Sequence, residues 1–214
     1  MDVFDLLAEG RIDELTAALA GNPALAAGRH ASGASLLAFA YYVGQAHVAP
    51  AIRSHLADLG PHDAIIHGDA ATVRRALAAG WDGNALAPDG FTPLGLAAFF
   101  DRMPVFELLL PITRDLNERA RNPQQVAAIH AATAAGNARM VEALLRAGAD
   151  PDLAQADGFT PLHAAAHSGN AAIAGLLLLF GADRRRLTAR GHDAVELARS
   201  VGHGWLADRL EAFR

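Results

Sequence analysis

His163 and His167 lie four residues apart in the stretch DGFTPLHAAAHSGN, residues 157–170. At that spacing two imidazoles share one helical face, the arrangement found in helical zinc sites. No acid or third histidine lies close enough in sequence to complete such a site, and only His130 could stack near it in space. The chain has no cysteine, which removes disulfides, thiolate zinc sites and cysteine nucleophiles together. There is no G-x-S-x-G elbow and no phosphate-binding loop, and the His-Gly-Asp at 67–69 follows an Ala/Ile stretch without a nucleophile. His47, His62, His192 and His203 read as solvated or capping residues at helix edges and turns. These observations predict a chain that is not an enzyme and that holds neither metal nor cofactor.

The elements that must position these residues follow from composition and period. The 214 residues are 52% hydrophobic and 6% aromatic, with much of the apolar content in Ala and Leu, which favours helices. A formal charge of −5 argues against a phosphate-binding surface, so no nucleic acid is expected as partner. All 18 basic residues are Arg, a bias that points to a GC-rich bacterial source. The start, MDVFDLLAEGR, has no signal-peptide pattern, and the longest aliphatic run, LLLL at 176–179, cannot span a bilayer. The expectation is a cytoplasmic monomer without membrane contact.

A repeat organises the chain. DGFTPL occurs at 89–94 and again 68 residues later at 157–162. GADPD at 148–152 returns as GADRR after 33 residues, and IHAATAAGNARMVEALL from 129 aligns with LHAAAHSGNAAIAGLLL from 162 at the same step. Asn84 and Asn117 are also 33 apart. Thr160 suits an N-cap, Pro161 the first helical position, and Gly169 and Gly181 the ends of two short apolar helices. Such a pair cannot bury its own faces and requires copies on either side.

This pattern resembles the ankyrin repeat, whose period and T-P-L-H-x-A signature residues 157–183 reproduce. The resemblance implies an all-α solenoid of stacked helix-turn-helix units with short β-turn or hairpin fingers. Helix-closing positions fall at Gly10, Gly44, Gly68, Asp101, Gly136, Gly169 and Gly202, with steps of 34, 24, 33, 35, 33 and 33. A single domain, 1–214, is expected, with units at 1–30, 31–58, 59–86, 87–121, 122–154, 155–187 and 188–214. The step after Gly44 is nine residues short, which predicts a missing finger. Asp101 replaces a helix-closing glycine, and Asn122–Pro123 replaces the usual turn before the fifth unit.

The resemblance also implies that His163 is structural, tied to Thr160 and to the next repeat, and that a partner protein docks on the concave face of finger tips and first helices. That register supplies Tyr42, Ile66, His67, Phe99, Phe100 and His167, and the tips add Asp89, Phe91, Asp157 and Phe159. Tyr42, Ile66, Phe99 and Phe100 read as an apolar cluster of the kind that anchors interfaces, although some of these rings could instead pack inward. The function expected is a protein-interaction scaffold. The alternative is a small-molecule or metal-binding protein with its pocket at the irregular middle repeats.

Overall fold

The computed structural model describes residues 2–212; the outer bounds of the first and last expected units, Met1 and residues 213 and 214, lie outside that range. Two compact units divide the chain, one of Met1–Asp82 with Ala87–Asp89 and one of Gly83–Leu86 with Gly90–Arg214.

In the first unit three helix pairs follow in order: α1 (Val3–Ala8) with α2 (Ile12–Gly21), α3 (Leu36–Tyr42) with α4 (Ala49–Ser54), and α5 (Pro61–His67) with α6 (Ala70–Ala78). The first members stack, α1 on α3 and α3 on α5. Leu7, Leu15, Leu19, Leu36, Leu37, Ile52, Ile65 and Val73 form the core and are fully buried. The expected shortening is present. Fourteen residues separate Gly21 from Leu36, as they do Arg146 from Pro161, but only six separate Ser54 from Pro61.

The second unit holds α7 (Pro93–Phe99) with α8 (Met103–Leu109), α9 (Ala128–Ala134) with α10 (Ala138–Arg146), α11 (Pro161–His167) with α12 (Ala171–Leu179), and α13 (Ala194–Ser200) with α14 (Gly204–Ala212). The inner row α7–α9–α11–α13 stacks in sequence, and α10 also packs on α12. Ala97, Ala98, Ala131, Ala132, Ala165 and Ala166 are buried on the inner helices, where methyl-sized side chains let neighbouring backbones approach closely. Three of these inner helices start at a polar cap, Thr92, Thr160 and Asp193, with Thr92 Oγ1 accepting from Gly95 N at 3.1 Å and Asp193 Oδ1 from Glu196 N at 2.8 Å, whereas α9 follows Ala127.

The fingers are hydrogen-bonded turns. Among the described residues no strand forms, and one isolated bridge pairs Arg29 with Ser35. Within the second unit the turns close through Ala120 N to Val126 O (3.0 Å), Gln155 N to Phe159 O (3.0 Å) and Thr188 N to His192 O (2.9 Å). Each finger also bonds to the next, through Arg121 N to Gly90 O (2.8 Å), Ala156 N to Gln124 O (3.1 Å) and Ala189 N to Asp157 O (2.7 Å). Asn117, read in the sequence only as a periodic residue, has the same function lower in the loops: its Oδ1 accepts from Asp150 N at 2.9 Å.

Asp101 keeps the left-handed conformation of the glycine it replaces, with φ of 55°. Aspartate tolerates that region better than most residues. Here it is also held by Asn137, whose Nδ2 donates to Asp101 Oδ1 at 2.5 Å.

Candidate functional site

The histidine pair separates into two roles. His163 is 1% exposed; its Nδ1 faces the Thr160 N–H at 3.0 Å and the Thr160 hydroxyl at 2.9 Å, and its Nε2 faces the Arg186 carbonyl at 2.9 Å. The Nε2–H tautomer satisfies all of these partners at once. His130 repeats the arrangement, with Nδ1 accepting from Ala127 N at 3.2 Å and Nε2 at 2.7 Å from the Leu153 carbonyl. The missing threonine at 127 therefore removes the hydroxyl contact and the side-chain cap of α9 but leaves both bonds of the ring. Burial pushes the His130 imidazole down to about 4, and burial likewise lowers His163. Both rings tie an inner helix to the loop that follows the next helix, and neither faces solvent. His167 is exposed at the end of α11. No group of three or more His, Cys, Asp or Glu side chains among the described residues is placed to hold a metal ion.

His167 instead lines a groove of about 510 Å³ in the second unit, together with Asp157, Phe159, Thr188, Arg190, His192 and Leu197. Two consecutive fingers form its walls, kept at fixed separation by the Ala189–Asp157 backbone bond. Asp157 turns the first finger with φ of 60°. The Phe159 ring rests 5.5 Å from the buried His163 ring, which fixes it as an apolar wall. Asp157, Phe159 and His167 were all expected contact residues, and the structure brings them together. Thr188 and Leu197 carry no expectation from the sequence, His192 reads there as a solvated or capping residue, and Arg190 belongs to a run of arginines that reads as a solvated basic turn. Their signal was available, because Arg190 and His192 stand 33 residues after Asp157 and Phe159.

The other expected contact residues lie in different surroundings. Phe91 is half-buried, like Phe159 at the same repeat position. Phe99 is 48% exposed and meets half-buried Phe100 edge-on at 5.1 Å. In the first unit the Tyr42 hydroxyl donates to Asp89 Oδ2 at 2.8 Å, and burial, reinforced by that carboxylate, pushes the phenol well above its usual range. His67 Nδ1 sits 2.8 Å from the Tyr41 hydroxyl. Ile66 departs from expectation: it is 2% exposed and faces inward, lining a cavity with Ala38, Ala87 and Pro88, so it is not part of an exposed concave surface. The expected apolar cluster is thus divided, with Tyr42 and Ile66 in one compact unit and Phe91, Phe99 and Phe100 in the other.

A family model described as "Ankyrin repeats (3 copies)" matches residues 61–155, 114–186 and 129–210. The chain belongs to the ankyrin repeat family. Ankyrin repeats are generally protein–protein interaction modules, and the family is typically non-enzymatic. A comparison with curated proteins gives no match. Among the described residues no helix is long and apolar enough to cross a membrane.

Proposed function

We propose that this ankyrin repeat protein is a non-enzymatic scaffold of seven repeats in one domain, acting as a cytoplasmic monomer that holds a partner protein in the groove between its last two fingers. The observation that carries this reading is the groove of about 510 Å³, where three residues expected on the concave face converge. It combines an apolar surface from Phe159 and Leu197 with polar groups at both ends, Asp157 and Arg190, the usual composition of an anchor pocket with an orienting rim. Phe91, Phe99, Phe100, Tyr42, His67 and Asp89 remain proposed contacts outside it, with Phe99 the most exposed of the aromatic ones.

The test replaces His192 with a benzophenone photo-crosslinking amino acid in the full chain, inside the source cell. The control carries the same group at Glu142, on the solvent side of α10. The reading expects a discrete crosslinked protein from position 192 that is absent from position 142. Equal products from both positions, or none from 192, would refute it.

A further inference from the structure

The position occupied by His130 and His163 can be followed through the repeats as the third helical residue after the cap. In the same register stand Ala38, Asp63, Gly95 and Glu196. His130 and His163 fill the space with a ring and bond a carbonyl 23 residues ahead. Ala38 contributes only a methyl group. Twenty-three residues after it comes Pro61, the first residue of α5, because the finger that would supply the carbonyl is missing. Both the ring and its acceptor are therefore absent at one place.

The chain does not collapse into this gap. The tip at 87–89 reaches across to the first finger, so closely that a Cβ added to Gly33 would lie 2.4 Å from the Pro88 carbonyl oxygen. Beneath this contact, within the first unit, lies a cavity of about 100 Å³ lined by Arg29, Ser35, Ala38, His62, Asp63 and Asp89, among others. A single water needs about 10–15 Å³ of such space, so the cavity admits several waters or one small molecule.

Its lining sets two carboxylates, Asp63 and Asp89, beside Arg29 and His62. The Ser35 hydroxyl donates to Asp63 Oδ1 at 2.6 Å, and Asp63 forms no ion pair among the described residues. The Arg29 guanidinium directs an N–H to the Gly33 carbonyl at 3.0 Å, and with His62 it exerts only a secondary pull on Asp63. Burial dominates and raises the Asp63 carboxyl, and the Asp89 charge acts in the same direction. A desolvated carboxylate beside open volume attracts a cation that brings its own N–H donors. A planar cation also matches the imidazole-sized space left at Ala38. A metal ion fits less well, since no group of three or more potential ligands is assembled among the described residues.

We propose that this cavity binds a small planar N–H cation, a guanidinium or imidazolium group, against Asp63. The group is either a free small molecule or the end of a partner's side chain. This site is separate from the groove at residues 157–197 and does not rest on the reading of it.

The test is an NMR titration of the ¹⁵N-labelled full chain with methylguanidinium chloride, with methylurea as the neutral isostere. The proposal expects saturable shifts at the amides of Gly33, Ala38, Gly60 and Asp63, with a dissociation constant on the order of 1 mM. Methylurea should produce none, and Asp63→Asn should weaken binding about tenfold. No saturable shift, or equal response to methylurea, overturns it, and this comparison holds in the wild type even if the variant fails to fold. N-acetylarginine amide separates the sources: tighter binding than methylguanidinium assigns the site to a partner's side chain, and exclusion assigns it to a free cation.

Discussion

Acid should destabilise this protein through His130 in particular. The ring is 3% exposed, and both nitrogens are committed, one accepting from the Ala127 N–H and one donating to the Leu153 carbonyl. Protonation would place a second N–H against a donor inside the core. Accordingly the folded-state value falls from 6.5 to about 4. A group depressed by folding contributes stability above its unfolded value and loses it as pH falls toward the folded one, because the unfolded chain then binds the extra proton. The contribution is complete above about pH 7 and gone below about pH 4, and the full drop corresponds to about 3 kcal/mol. About 2 kcal/mol of it is lost by about pH 5. His163 adds in the same direction. Asp63, raised by burial, acts in the opposite sense, so the single residue must be isolated by difference. Urea unfolding followed by far-UV circular dichroism, at several pH values from neutral to about 5, should show a smaller pH-dependence for His130→Gln than for the wild type. Parallel pH profiles for the two proteins would refute the assignment of a neutral, doubly bonded ring.

Three further outcomes follow from backbone and capping geometry. Gly33→Ala should destabilise the chain by about 1–3 kcal/mol in thermal unfolding, since the added Cβ meets the Pro88 carbonyl at 2.4 Å and the residue sits at φ of +91°. Gly175→Ala should do the reverse, because the position lies inside α12 with nothing within 4 Å; a gain of about 0.5–1 kcal/mol should raise Tm by about 1–4 °C. Asn137→Ala should cost about 1–2 kcal/mol in urea unfolding, since Asn137 both caps α10 by accepting from Met140 N and holds Asp101 in its left-handed turn.

The repeat was legible because its signals are local. Thr160, Pro161 and Gly169 act within one turn of their own position, as cap, first helical residue and stop, and the motif recurs, Thr-Pro at 92–93 and the histidine and glycine at His130 and Gly136. The shortened step after Gly44 was equally readable, since six residues cannot form a finger that elsewhere takes fourteen. What the pattern did not reveal was how the surroundings would respond. Ile66 occupies the register of exposed His167, two residues before the helix-closing glycine, yet it is buried. The difference arises from the tip at 87–89, whose Ala87 and Pro88 share the cavity with it. No local rule places a tip there. It reaches the first finger only because the intervening one is absent.

The same register accounts for the difference between two cavities of this solenoid. An imidazole at the third helical position fills the space under a finger and satisfies a loop carbonyl, as at His130 and His163. Gly95 leaves that position without a side chain, and a Cβ there would lie 2.7 Å from the Thr92 hydroxyl oxygen, so the repeat cannot easily regain its ring. A cavity of only about 10 Å³ remains beside Thr92, Leu94 and Glu118, room for a single water, because the following loop is present and packs down. At Ala38 the ring is again missing, but so is the loop, and the volume is about 100 Å³. Loss of a side chain alone is therefore nearly absorbed by packing, whereas loss of a side chain together with its finger is not. The unequal steps read from the sequence thus mark where a uniform scaffold acquires a cavity, and Asp63, standing in the histidine register of the next repeat, places a carboxyl group in its wall.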